Sequence, residues 1–204
     1  MDTEADPTRT FLADAPVTPE VQALYDSDRE DPGFVMNLSR LWAHRPALGD
    51  GLSALIRDSA EAASLSYRQR GILVSATASV MGDGYCSFAW GQRLADEAGD
   101  EVAVSVLQGD DEGLEPAEQA LARWARQVAR DPNGAAAGDL EALRTAGYDD
   151  AQIFAITCYV AFRMAFSAVN DALGALPDHE LGEAASTAVR EAITWGRPVG
   201  PAPA

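Results

Sequence analysis

From Phe34 onward the apolar positions recur with a helical period, and no stretch keeps the strict alternation of a half-buried strand. Phe34, Leu38 and Leu41-Trp42 mark an apolar face that ends before Pro46, and Leu52, Leu55 and Ile56 continue it on a next helix. Ser66 is placed to cap a helix from Tyr67 to Met81, whose apolar positions include Ile72, Leu73, Val74, Ala76 and Val80. Gly82-Asp83-Gly84 breaks the pattern, and a new helix is predicted from about Tyr85 to Ala98. Asp110 to Gly113 reads as an acidic turn, and Pro116 suits the first position of a helix that runs to Arg130. Asp131-Pro132-Asn133-Gly134 is a loop signature, and Asp139 opens a short helix that ends at Gly147. Asp149 or Asp150 begins a long apolar helix that stops near Gly174, and a last helix spans about Glu180 to Trp195. The pattern predicts an all-α protein.

The two ends read differently. Residues 1–32 are rich in Asp, Glu, Pro and Thr and form an acidic N-terminal arm with one short helix around Val21 to Tyr25; Gly196 to Ala204 is a flexible Pro/Gly tail. The domain proper is 33–195. A chain of 204 residues with 47% apolar content is long enough to bury a real core. Its formal net charge of −17 argues against a phosphate backbone or an anionic membrane as partner. All fifteen basic residues are Arg, which removes Schiff-base catalysis and a phosphate-binding P-loop lysine together. No glycine-rich dinucleotide fingerprint and no apolar leader segment is visible, so a cytoplasmic protein is expected. The run from Ile153 to Val169 is interrupted by Arg163 and is short for a membrane span.

The most informative stretch is Ser66-Tyr67-Arg68-Gln69-Arg70-Gly71 leading into Gly82-Asp83-Gly84-Tyr85-Cys86-Ser87-Phe88-Ala89-Trp90. Its framing resembles the active-site segment of the alkylhydroperoxidase AhpD-like and carboxymuconolactone decarboxylase superfamily. Members usually carry a glutamate, a CxxC pair and a histidine four residues after the second cysteine. On this chain those positions are Gly71, Asp83, Cys86 and Trp90, so one of the four residues is kept. The resemblance covers roughly 34–174, including Ala43-His44-Arg45-Pro46 and Ala146-Gly147-Tyr148-Asp149-Asp150. It implies an all-α fold of two related halves, about 33–108 and 113–195, assembled as a trimer or hexamer.

In redox-active members the second cysteine attacks a peroxide or disulfide as a thiolate, the first resolves the product, and the glutamate and histidine relay the proton. Cys86 holds the attacking position, but Asp83 cannot form a disulfide, and Cys158 lies in the apolar helix of the second half. The start of a helix favours a thiolate by about 0.3–1 kcal/mol. Asp83, placed to cap that helix beside Cys86, opposes it by on the order of 2–3 kcal/mol at an effective dielectric near 20, so Cys86 is expected to be a thiol at neutral pH. If the family packing holds, Gly71 and Trp90 face each other, and the missing side chain leaves room for an indole that refills the core or forms an aromatic wall.

Other candidate chemistry is sparse. His44 and His179 lack metal-ligand spacing, so neither a metal nor a cofactor is called for. Tyr159, Arg163, Phe166 and Asn170 form one stripe of the long helix, and an Arg in so apolar a segment needs an acid, a carbonyl or a ligand carboxylate. Met164 and Ser167 stand where relatives often carry an Asn-rich patch. Three functions follow: a non-redox enzyme acting on a small organic metabolite, a one-cysteine peroxidase or thiol-dependent reductase using Cys86, or a binding protein without catalysis. In the first, Asp83 is the acid/base, with Tyr85, Cys86 and Trp90 shaping the pocket and Gly71 and Arg163 completing it.

Overall fold

A computed structural model describes residues 9–202, and these contain helices and no strands. The order is α1 (Pro19–Glu30), α2 (Asn37–Trp42), α3 (Pro46–Ala62), α4 (Tyr67–Met81), α5 (Gly84–Ala98), α6 (Asp100–Gln108), α7 (Pro116–Arg130), a 3-10 turn (Pro132–Gly134), α8 (Ala137–Thr145), α9 (Asp150–Ala172), α10 (His179–Ala184) and α11 (Thr187–Ala192).

α4 is the centre of the molecule, packed against α5, α6, α7 and α9. Ser66 and Gln69 form a capping box at its start, and Gly82, at φ +70°, ends it in the left-handed region that glycine tolerates best. Every residue from Gly71 to Ala78 is buried, which explains why the segment lacks a polar face. Arg68 binds Glu118 of α7 through two nitrogens at 2.6 and 2.9 Å, and Trp124 of α7 donates to Thr157 of α9 at 3.0 Å. Inside the core, Arg126 makes a two-pronged ion pair with Asp111 at 2.7 and 2.8 Å and also donates to the Val106 carbonyl.

α9 starts from an Asp149–Gln152 capping box and packs along α3. By length and composition it could cross a membrane, but it buries Ile153, Ala155, Ile156, Tyr159 and Val160 in the core. Its outer stripe is apolar too, with Phe154 71% and Val169 37% exposed.

Several sequence expectations are corrected. α6 was not anticipated: it is a short helix between two left-handed or extended glycines, Gly99 and Gly109. Asp139 does not cap α8 but sits inside its first turn, its carboxylate accepting from the Ala136 amide at 2.8 Å. The single last helix is two, broken where Ala185 turns extended and Ser186 caps α11 through the Val189 amide.

The ends are held rather than loose. α1 is longer than expected, and its Val21 and Tyr25 bury against Ala15 and Ala43. Phe11 donates to the Leu173 carbonyl and Leu176 to the Arg9 carbonyl, both at 2.9 Å. The tail expected to be flexible packs as far as Gly200: Trp195 donates to Ser87 Oγ at 3.1 Å, Arg197 to the Asp171 carbonyl at 3.0 Å, and Gly200 to the Pro177 carbonyl at 2.8 Å. Residues 1–8 of the arm and 203–204 of the tail lie outside the described residues. The tail crosses the start of α5 as a strap, and a Cβ on Gly84 would lie 2.9 Å from the Arg197 carbonyl oxygen.

Gly196 has φ +74°, and a Cβ there would overlap the Gly84 amide and the Gly82 carbonyl. Gly196→Ala should therefore lose at least the roughly 1–2 kcal/mol of a left-handed alanine, read as a lower denaturation midpoint, with Gly138→Ala, which meets open space, as the benign control.

Candidate functional site

Asp83 is the N-cap of α5, and its Oδ1 accepts from the Cys86 amide at 2.9 Å. It is fully buried, and its second oxygen, Oδ2, has no hydrogen-bond partner. Cys86 follows in the first helical turn, 2% exposed. Its sulfur takes contacts from two residues of α9, Arg163 Nη2 at 3.5 Å and Ser167 Oγ at 3.7 Å. Arg163 and Ser167 are one helical turn apart, so α9 lays a polar stripe across the start of α5. Four residues further along, Asp171 is pushed up to about 7, first by burial and then by the Asp83 carboxylate, with Arg197 pulling it down.

The Cys86 thiol is pushed up to about 12. Burial is the largest cause and the Asp83 carboxylate the next, against a smaller pull from Arg163. The direction and the second cause are legible in the sequence, whereas the burial of the sulfur is not. Both cysteines are free. Cys158 lies on α9 five residues before Arg163, which at ~100° per residue puts it about 140° around the helix from the Cys86 contact.

Above this floor lies an open cleft of about 270 Å³ between α3, α4, α5 and α9. Its walls include Ile56, Arg57, Arg70, Trp90, Tyr159, Arg163 and Phe166. Arg163 belongs to both layers: its guanidinium stands 5.3 Å from the ring centres of Trp90 and Phe166 while touching the Cys86 sulfur. It has no carboxylate partner, and its Nε is buried without a hydrogen bond. Phe166 stacks in turn on Trp42 at 5.6 Å and 6°, and Tyr67 tilts against Trp90 at 5.8 Å. Asn170, the last residue of the stripe, accepts from the Trp42 indole at 3.0 Å rather than facing the cleft.

Asp83, Cys86, Trp90 and Arg163 thus come together, whereas two other expected residues do not. Tyr85 points away from the cleft: its hydroxyl donates to Asp178 and its ring buries with Leu41 and Ala175. Successive helical residues project about 100° apart, so neighbours of a site residue turn elsewhere. Gly71 does not face Trp90. The nearest atoms to a Cβ there belong to Leu94, at 3.4 Å, one turn further along α5. The glycine lets α5 approach α4 and leaves no slot for the indole. Among residues not singled out, Arg57 and Arg70 line the cleft, and Asp171 and Trp195 flank the floor. Asp171 was legible as the third step of the Arg163–Ser167 stripe; the other three were not. His44 donates from Nε2 to the Ala13 carbonyl at 3.1 Å, and no cluster of metal-ligating side chains occurs among the described residues.

Titration of Cys86 by thiolate absorbance should show no ionisation near neutral pH and a midpoint well above that of a free thiol. Asp83→Asn removes the charge but not the burial, so the midpoint should fall yet stay above the ordinary range. A midpoint near 6 in the parent chain would contradict the geometry.

By sequence, no family model and no curated protein matches the chain. Solved structures do. An uncharacterised peroxidase-related protein of Ralstonia eutropha JMP134, described as an alkylhydroperoxidase AhpD core, is similar with TM-score 0.74 at 22% identity, over 87% of this chain and 96% of that one. A peroxidase-related protein of Silicibacter sp. TM1040 is similar with TM-score 0.76 at 21% identity, over 89% and 97%. A cysteine-to-alanine variant of the debrominase Bmp8, in complex with 2,3,4-tribromopyrrole, is similar with TM-score 0.66 at 14% identity, over 94% and 98%. The chain has the AhpD-like fold.

Proposed function

We propose that the protein is a non-redox enzyme acting on a small planar organic metabolite by proton transfer, with Asp83 as acid/base. The observation that carries this reading is the state of the Asp83–Cys86 pair: the thiol is sealed in its protonated form, while the neighbouring carboxylate keeps one oxygen free of any partner. With the thiol pushed up to about 12, Cys86 is protonated at pH 7. The thiolate is the form that attacks peroxides. A buried carboxylate oxygen without a partner costs about 1–3 kcal/mol, a cost that a substrate proton meeting it would offset. Arg163 stands between the cleft and this floor, lining the one and touching the Cys86 sulfur of the other. The bound tribromopyrrole of the debrominase variant supports a planar ligand for this fold.

A one-cysteine thiol chemistry is the second reading, and Arg163 favours it, since its guanidinium is the group that pulls the Cys86 thiol down. A short peroxide pulse followed by intact-mass spectrometry separates the two. The non-redox reading expects oxidation no faster than that of a free thiol. A sulfenate formed within seconds, and absent from Cys86→Ser, would establish the second reading.

The outer stripe of α9, where Phe154 and Val169 stand exposed among Ala161, Ala165 and Ala168, supports a homo-oligomer in which a second copy covers it. Phe154→Glu should shift the mass measured by light scattering towards that of one chain, without loss of helical signal; an unchanged mass would place any interface elsewhere.

A further inference from the structure

The cleft is unusual in its charge. The chain carries 32 acidic and 15 basic residues, yet Arg57, Arg70 and Arg163 line the cleft and no Asp or Glu does. The three guanidinia are weakly committed. Arg163 has no carboxylate partner, Arg70 donates its Nε to the Leu65 carbonyl, and Arg57 meets Asp58 at 3.6 Å on the exposed rim. Tyr159 is buried as a residue and also lines the cleft, and its hydroxyl makes no hydrogen bond among the described residues, so it is free to meet a ligand there.

We infer that this cleft binds a small aromatic carboxylate, its carboxylate held by Arg163 and the Tyr159 hydroxyl and its ring lying against Trp90 and Phe166. The inference rests on the small-molecule reading above and names the substrate class for that site. Guanidinium takes a carboxylate through two parallel hydrogen bonds, and Arg163 has donors to give once it leaves the sulfur. Beside Ser53 and the other two arginines, the wall made by Ile56, Ala60 and the two rings is apolar and suits an apolar body on the anion. It offers no backbone-amide nest or lysine of the kind that cradles a phosphate. At about 270 Å³ the cleft lies just under the roughly 300–1,000 Å³ of drug-sized sites, so it admits one or two rings. The overall charge of −17 does not forbid an anion, because charges more than about 8–10 Å away are largely screened at physiological salt.

The test is calorimetric titration of the whole chain with benzoate and 2-naphthoate, set against benzamide, 2-naphthamide and inorganic phosphate. The expected result is that at least one acid binds ten-fold or more tighter than its amide and than phosphate. Arg163→Met should erase the acid–amide difference, whereas Trp90→Leu should weaken acid and amide alike. Equal affinity of acid and amide, no binding of either acid, or phosphate binding as tightly as the acids would overturn the inference. The comparison in the parent chain needs no variant, and Arg70→Gln, with a smaller expected loss, provides a second one if Arg163→Met does not fold. The peroxide response of Cys86, measured in the same preparation, reports on the non-redox reading separately: an inert thiol without acid binding removes only the substrate class.

Discussion

A carboxylate buried at the start of a helix organises this molecule. Asp83 is shut off from solvent, and what holds its charge there is the amide end of α5, through the 2.9 Å bond to Cys86. The Asp83 backbone carbonyl accepts from Ser87 Oγ at 2.6 Å, and Ser87 in turn accepts from the Trp195 indole at 3.1 Å. The strap that carries Trp195 can lie over the turn because Gly84 and Gly196 meet without side chains. The same carboxylate pushes up both Cys86 and Asp171, second only to burial in each case. One residue thus takes part in the helix cap, in the hydrogen bonds that lead to the tail and, after burial, in holding the thiol protonated.

What could be read from the chain followed from local rules. The capped starts of α4 and α9, the proline at the head of α7 and the break at Gly82-Asp83-Gly84 are visible in sequence because each rests on residues within a turn of one another. Asp83 as the cap of α5 was legible for the same reason. Gly71 failed because the sequence shows that a side chain is missing but not which neighbour fills the space, and that neighbour is Leu94. Tyr85 failed because adjacent helical positions point apart, one towards Arg163 and the other towards Asp178. The strap was hidden in a Pro/Gly segment with no period, whose order comes from contacts with residues about 110 positions away, such as Trp195 with Ser87.

Where the resemblance implies a glutamate and a histidine there stand Gly71 and Trp90. The polarity comes from α9, where Arg163 and Ser167 reach the sulfur. A cationic, aromatic-walled cleft lies beside a buried thiol.

Arg163 couples the two layers, because it cannot fully serve both. While its Nη2 rests on Cys86 it lowers the thiol's pKa, and among the described residues no other cation contacts that sulfur. An anion in the cleft draws the guanidinium outward, leaving Sγ with Ser167 and with the opposing Asp83 charge. The thiol is then still harder to ionise, so an occupied site is further from redox chemistry than an empty one. By linkage the converse holds: any change that ionises Cys86 strengthens its hold on Arg163 and weakens the cleft for anions. The geometry therefore sets anion binding and thiolate formation against each other.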